Sequence, residues 1–196
     1  MLYYLDIVGT FFFCLSGALA ARQKGMDWWG VYVISLITGT GGGTLRSILI
    51  GDFPPLIFRD PIYAIIAVIA TPCAILIPCF WEKFRREVSI MDALGLGVFV
   101  CLGTQVAIEH NLSWWAAIGM GVITATFGGV LRDILRAEIP LIFRREIYAT
   151  AAIAGGLLLI GLQWLGLADF LSATIAASTT AGIRLLSIRY AINQSK

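Results

Sequence analysis

Long apolar runs separated by short polar connectors make up almost the whole chain. Most runs are about 18 to 22 residues long, which is roughly the length that an α-helix needs to cross the hydrocarbon core of a bilayer. Seven helices are predicted, at about residues 3–22, 28–50, 62–80, 90–109, 114–136, 146–166 and 169–190. The connectors between them are too short to hold a soluble domain. The pattern therefore predicts an all-α polytopic membrane protein, with residues 1–196 in a single membrane domain.

The composition supports this class. Charged residues are 13% of the chain and apolar residues 59%, whereas about a quarter of an average soluble domain is charged. The net charge of +2 arises from basic residues scattered among the connectors, which gives no support for nucleic-acid binding. The cysteines lack metal-ligand spacing and are predicted to be small packing residues. Since no hydrolase, zinc-protease or nucleotide-binding motif is present, we predict no enzyme activity, resident metal or cofactor.

A segment that begins at Asp6 is repeated from Asp92 onwards at an offset of 86 residues. The clearest matching pairs are Phe13 and Phe99, Gly17 and Gly103, Trp28-Trp29 and Trp114-Trp115, and Leu45-Arg46 and Leu131-Arg132. After Pro54 and Pro140 the offset falls to 85. Each copy contains three predicted spans, so the second copy must enter the bilayer upside down. This is the inverted-repeat architecture of transport proteins, with repeats at about 3–80 and 90–166 and an unrepeated helix at about 169–190.

The positive charges of the connectors predict the orientation. Lysine and arginine concentrate on one side, which is the cytoplasmic side in most membrane proteins. The residues on that side are Arg22, Lys24, Lys83, Arg85, Arg86, Arg136, Arg144, Arg145, Arg189 and Lys196. The opposite side has Arg59 and little else. We therefore expect the N-terminus outside the cell and the C-terminus in the cytoplasm.

Glycine clusters interrupt the second and fifth predicted helices at matching places. Their residues are Thr38, Gly39, Thr40, Gly41, Gly42 and Gly43 in the first repeat, and Thr124, Thr126, Phe127, Gly128 and Gly129 in the second. Glycine disfavours a helix interior by about 1 kcal/mol relative to alanine, so these clusters predict a bend or unwinding. Paired broken helices in inverted repeats indicate a binding or conduction site near the membrane centre. The alternative is close packing of helices through small residues.

Arg46 and Arg132 each follow their glycine pair by about one helical turn. A charge in a membrane span is costly unless it faces a cavity or a partner, so we expect both to face an aqueous pathway. The alternative is that each reaches the nearer interface. Asp133 could pair with either arginine, and the first repeat has Ser47 in its place, so the repeats are not chemically equivalent there.

Asp6 and Asp92 form a second matched pair, near the starts of the first and fourth predicted helices. A carboxylate near a helix N-terminus is stabilised by the helix dipole, which favours a capping or anchoring role. The alternative is that these carboxylates mark the two mouths of the pathway.

The motifs quoted above, together with the Pro-Leu-Ile-Phe-Arg connectors, resemble bacterial members of the trimeric intracellular cation (TRIC) channel superfamily, whose domain is also described as a glycine transporter domain. The resemblance covers about residues 2–190. It implies a homotrimer in a bacterial inner membrane, with one potassium-conducting pore per protomer. In this sequence it places the kinks at Gly41-Gly42-Gly43 and Gly128-Gly129, and the pore-facing basic residues at Arg46 and Arg132. Phe127 stands where the first repeat has Gly41, so the second helix bends less or Phe127 narrows the path.

Two functions remain open from the residues. In a passive cation channel, carbonyls freed at the glycine breaks would hold potassium transiently, while the arginines would repel it unless they are paired or displaced. In a secondary transporter of a small zwitterion such as glycine, the same arginines and the half-helix N-termini would suit the substrate carboxylate.

Overall fold

The computed structural model describes residues 2–76, 85–144 and 147–194. Within these ranges all regular structure is helical. The helices are α1 (Leu2–Gln23), α2 (Trp28–Ile50), α3 (Leu56–Arg59), α4 (Ile62–Leu76), α5 (Arg85–Glu109), α6 (Trp114–Leu135), α7 (Leu141–Arg144), α8 (Ala149–Trp164) and α9 (Asp169–Gln194). Each of the seven predicted helices corresponds to one of the long helices. The short helices α3 and α7 form in connectors that the hydropathy pattern treats as irregular.

Five of these helices are long and apolar enough to cross a membrane: α1, α2, α5, α6 and α9. The third helix of each repeat, α4 or α8, is apolar but shorter. Residues 77–80 of the predicted third helix lie outside the described residues, as do Lys83, Arg145 and Lys196, on which the predicted orientation partly depends. The all-helical membrane fold is thus confirmed, and the count of seven spans stays a prediction.

The ends of the second helix of each repeat have matching backbone geometry. Helix α2 begins after Asp27, whose carboxylate accepts a hydrogen bond from the backbone N–H of Gly30 at 2.8 Å. It ends at Gly51, with φ of 75°, and Asp52 N–H donates to Ser47 O at 2.9 Å. Helix α6 ends likewise, with Ala137 at φ of 54° and Glu138 N–H donating to Asp133 O at 2.9 Å. The repeat therefore extends to the details of the backbone, although the second copy has no glycine at the left-handed position.

The contacts between equivalent helices run antiparallel, as inverted repeats require. Helix α1 lies along its counterpart α5, with Ser16 near Val88 at one end and Gly9 near Phe99 at the other. Phe13 and Phe99, an equivalent pair, stack between them with ring centroids 5.1 Å apart. Both rings are buried at the centre of the larger apolar core. The prediction that the second repeat is inverted is therefore supported by direct packing.

Helices α2 and α6 cross at the two glycine clusters. A Cβ added at Gly42 would overlap the carbonyl oxygen of Thr124, and one added at Gly128 would overlap that of Thr38. The two backbones are therefore in direct contact, which only a residue without a side chain allows. This contact holds the repeats together at the middle of the molecule.

Both glycine clusters are helical throughout, so the predicted unwinding is wrong. Helix α2 runs from Trp28 to Ile50 without interruption, and α6 runs from Trp114 to Leu135. Close helix packing, the alternative interpretation of the glycines, is what the structure shows. Tertiary contact outweighs the weak helix propensity of glycine here. A bend of the axis within a continuous helix stays a prediction.

Enlarging a glycine at this crossing should destabilise the protein. Gly42→Ala or Gly128→Ala must push two backbones apart, which we expect to cost about 1–3 kcal/mol, the usual range for overpacking. Thermal unfolding of the purified protein in detergent, followed by tryptophan fluorescence, measures the loss. Gly119→Ala in α6 is the matched control, because its Cβ would meet nothing within 4 Å. Equal unfolding temperatures for the crossing variants and this control would contradict the assignment.

Candidate functional site

The first repeat holds a buried ion pair between its first and second helices. Arg46 Nη2 of α2 lies 3.4 Å from Asp6 Oδ2 of α1, and the two residues are 3% and 6% exposed. The Thr10 hydroxyl donates to Asp6 Oδ1 at 3.3 Å. Tyr63 of α4 is buried beside Asp6, with its hydroxyl outside hydrogen-bond geometry. We call Asp6, Arg46 and Tyr63 the first cluster.

A cavity adjoins the first cluster. It is small, with room for about one water molecule. Its lining mixes polar and apolar residues: Asp6, Thr10, Gly39, Thr40, Gly43, Thr44, Leu56, Ile57 and Tyr63. Within the described ranges, Tyr63 Oη, which belongs to a lining residue, and Arg46 Nη1, which does not, are buried without a hydrogen-bond partner. The first cluster is thus incompletely satisfied.

The second repeat holds the equivalent ion pair with more partners. Arg132 Nη1 of α6 lies 2.7 Å from Asp92 Oδ1 of α5 and 2.8 Å from the Ser16 hydroxyl of α1. Arg132 Nε and Nη2 both bond the Asp133 carboxylate, at 2.8 and 3.2 Å. Arg132 is 1% exposed and Asp92 is fully buried. We call Asp92, Arg132, Asp133 and Tyr148 the second cluster.

Gly129 makes room for the second cluster. A Cβ at this position would lie 3.3 Å from Asp92 Oδ1, 3.3 Å from the Tyr148 hydroxyl and 3.7 Å from Arg132 Nη2. The three polar groups therefore converge on one point beside the glycine. Asp133 ties the cluster to the following connector, since it accepts a hydrogen bond from Leu141 N–H at 3.1 Å.

Another buried arginine contacts the second cluster from outside the repeats. Arg184 of α9 is 2% exposed, and its guanidinium carbon lies 4.9 Å from the centre of the Tyr148 ring. This is the geometry of a cation–π interaction. The sequence analysis missed Arg184, because it lies in the unrepeated helix and has no matching residue to draw attention to it.

Tyr63 and Tyr148 were also missed, although the sequence contained a signal for them. They are related by the offset of 85 residues that holds after the second helix of each repeat. Each lies beside the aspartate of its own repeat. The two clusters are therefore equivalent members of the duplication. Each has an aspartate from the first helix of its repeat, an arginine from the second, and a tyrosine at the start of the third, in α4 (Tyr63) or just before α8 (Tyr148).

The two clusters lie at different levels of the molecule. Asp6 belongs to the first cluster and Ser16 contacts the second. The two residues are ten positions apart on α1. At 1.5 Å per residue this is about 15 Å along the helix axis. Helices α2 and α6 meet at Gly42 and Gly128, and Arg46 and Arg132 each lie one turn beyond this crossing on antiparallel helices. The clusters thus lie on opposite sides of the crossing.

The capping role expected for Asp6 and Asp92 is not found. Asp6 is the fifth residue of α1 and Asp92 the eighth of α5, so neither lies in a first turn. Both carboxylates instead neutralise the arginine 40 residues further along the chain. The alternative for the arginines, reaching the membrane interface, also fails because both are buried.

The threonines of the glycine clusters bond back to their own helices. The hydroxyls of Thr38, Thr40, Thr124 and Thr126 each donate to the carbonyl four residues earlier, at 2.6 to 2.8 Å. Gly39 packs against Cys14, and Gly41 against Leu131. Phe127, which replaces Gly41 in the second repeat, is partly buried. The glycine clusters thus form a helix contact surface, and Gly39, Thr40 and Gly43 of the first repeat also line the cavity.

An ion pair joins the two repeats at the end of the molecule near the second cluster. Lys24 Nζ, between α1 and α2, lies 3.0 Å from Glu138 Oε1, which follows α6. The hydrogen bond from Lys24 holds the pKa of the Glu138 carboxyl below its usual value. Arg136 Nη2 also contacts Glu138, at 3.4 Å. Residues of both repeats therefore join at this end.

Comparison with known proteins agrees with the duplication. The model of the family described as "Glycine transporter" matches twice, at residues 3–78 and 89–164. The chain belongs to this family. Its relatives include the UPF0126 inner membrane protein YadS of Escherichia coli K12, 39% identical over 80% of this chain and 76% of that protein. A UPF0126 membrane protein of Vibrio cholerae is 37% identical over 97% of this chain and 80% of the relative.

Family members of known structure share the whole fold. A TRIC channel orthologue from Rhodobacter sphaeroides superposes with a TM-score of 0.92 and 33% identity, covering 97% of this chain and 98% of the other. A prokaryotic TRIC channel solved in 0.5 M KCl gives a TM-score of 0.88, again at 33% identity, with 97% of both chains covered. The resemblance to bacterial TRIC channels is thereby confirmed, and the chain is a membrane protein with the fold of a cation channel.

The two arginines should contribute unequally to stability. Arg132→Gln removes the guanidinium that pairs with Asp92. Asp133 then keeps its ion pair with Arg136, in which Arg136 Nη1 lies 3.6 Å from Asp133 Oδ1. Losing one partner of a buried pair costs about 3–5 kcal/mol, and we expect a loss of that order in detergent unfolding. Arg46→Gln breaks a single longer contact and should cost less. Adding Asp92→Asn and Asp133→Asn to Arg132→Gln should recover part of the loss. Equal destabilisation by the two single substitutions would contradict the asymmetry.

Proposed function

We propose that the protein is a homotrimeric potassium channel with one pathway in each protomer. The observation that carries this proposal is the pairing of each buried arginine with an aspartate of the same repeat. An unpaired arginine in the path would repel a cation. Because each arginine is neutralised by a carboxylate, a cation meets no net positive charge at either cluster. The whole-chain likeness to TRIC cation channels supports the same function.

The proposed pathway runs between the two clusters, along the faces of α2 and α6 that carry Arg46 and Arg132. In the orientation with the N-terminus outside, the first cluster faces the exterior and the second the cytoplasm. The chain is one membrane domain of seven spans, in which the shorter helices α4 and α8 also cross. At the glycine crossing the backbones touch, so the structure corresponds to a closed path. Opening then requires α2 and α6 to bend at Gly41–Gly43 and Gly128–Gly129, where potassium would pass transiently.

A transporter of a small zwitterion is the second candidate function, and one observation favours it. The cavity of the first cluster is lined by the carboxylate residue Asp6, which pairs with Arg46 behind it at 3.4 Å. A zwitterion such as glycine has an ammonium group that could pair with Asp6 and a carboxylate that could pair with Arg46. The description of the matching family model points the same way.

Flux measurements on the purified protein in liposomes distinguish the two functions. For a channel we expect potassium flux that rises with concentration without saturating and is unaffected by glycine. Arg46→Gln should change this flux, since it leaves Asp6 unneutralised, while Gly119→Ala serves as a control away from the clusters. Saturable glycine uptake without potassium conductance would overturn the channel. Crosslinking in native membranes tests the trimer, and a dimer or monomer there would contradict that part of the proposal.

A further inference from the structure

The short helices α3 and α7 are equivalent in sequence but lie on different surroundings. Both have the sequence Leu-Ile-Phe-Arg, at residues 56–59 and 141–144. Leu141 and Ile142 of α7 pack against the larger apolar core. Leu56 and Ile57 of α3 instead line the small cavity beside the first cluster. Helix α7 therefore lies on packed side chains, whereas α3 covers a space.

Helix α7 is also bonded to the buried charges beneath it, through a group that the first repeat lacks. The backbone N–H of Leu141, the first residue of α7, donates to Asp133 Oδ2 at 3.1 Å. The first repeat has Ser47 in place of Asp133, and the shorter serine side chain carries no carboxylate. The connector that leads into α3 is also one residue longer, since the repeat offset falls from 86 to 85 there. Sequence differences on both sides of α3 thus loosen its attachment to the first cluster.

Two polar contacts at the protein surface hold α3 in place. Arg59, its last residue, pairs with Asp52 at 2.5 Å, and both side chains are 35% exposed. Asp60, which follows α3, accepts a hydrogen bond from the Tyr3 hydroxyl of α1 at 2.7 Å. Exposed polar contacts of this kind contribute little stability, because water competes for both groups. Helix α3 can therefore leave the cavity at a small cost in free energy.

We propose that α3 is a movable lid over the cavity of the first cluster, while α7 is a fixed cover at the second. Displacement of α3 removes Leu56 and Ile57 from the cavity wall, so that the cavity and the Asp6 carboxylate beside it open to solvent. The movement of the lid does not depend on what the protein transports. Its role rests on the proposed channel function, in which the lid is the outer gate and Asp6 the first buried charge that a cation meets.

Thiol labelling of Thr44→Cys measures the lid directly, because Thr44 lines the cavity. The full-length protein, without its native cysteines, is placed in lipid nanodiscs, where a water-soluble reagent reaches both faces. The result then depends neither on the orientation in the membrane nor on ion flux. Arg59→Gln or Tyr3→Phe should each raise the labelling rate about 3-fold, and the two together about 10-fold, the size expected for exposed polar contacts.

Two comparisons distinguish a lid from a general loosening of the fold. Arg144→Gln changes the equivalent residue of α7 and should leave the labelling rate of Thr44→Cys unchanged. Asp52→Arg should raise the rate, and adding Arg59→Asp should lower it again, because the ion pair is rebuilt with its charges exchanged. Unchanged labelling in the variant that combines Arg59→Gln and Tyr3→Phe would overturn the proposal, as would an equal increase in Arg144→Gln.

Potassium flux through the same variants in liposomes separates the lid from the proposed function. If the protein is a channel gated by α3, the flux should increase in the same order as the labelling rates. Labelling rates in the expected order, without potassium flux in any variant, would support the lid and contradict the channel function alone.

Discussion

Burying an arginine inside a membrane-spanning bundle requires a counter-charge, and this requirement organises the whole structure. Each repeat meets it in the same way, with an aspartate from its first helix and an arginine from its second. The pairs join α1 to α2 and α5 to α6 in the apolar interior, where an unpaired charge would be very costly. The glycine crossing then brings the two neutralised halves into contact. Pairing within repeats and packing between repeats are thus the two constraints that define the fold.

The duplication supplies the same arrangement of helices twice, but the arginine of the second cluster has more hydrogen-bond partners than the arginine of the first. Arg132 is enclosed by Asp92, Asp133 and Ser16, so its guanidinium is almost fully satisfied. Arg46 has Asp6 and an adjoining cavity. One side of the crossing is therefore filled by side chains, while the other adjoins a cavity with room for about one water molecule. This difference makes the two halves of the proposed pathway unequal, although the repeats share one fold.

Much of this could be predicted from the sequence, because hydropathy and duplication are local or periodic signals. They gave the long helices, the inverted repeat and the importance of Arg46 and Arg132. The partners of those arginines were harder to predict, since 40 residues separate each pair and no pattern links them. Arg184 lacks a repeat mate altogether. The glycine clusters were assigned to helix breaks on propensity, whereas the contact between α2 and α6 keeps both helices continuous.

The proposed channel requires that the cavity beside the first cluster, which Thr44 and Gly43 line, opens to water on the outer side of the membrane. Labelling of Thr44→Cys, in a background without the native cysteines, measures this directly, because Thr44 lines the cavity. A membrane-impermeant thiol reagent should modify it in right-side-out vesicles and not in inside-out vesicles. Ile123→Cys, on the exposed face of α6, is the control for reagent that enters the lipid. Faster modification of Thr44→Cys from the cytoplasmic side, or none from either side, would contradict the account.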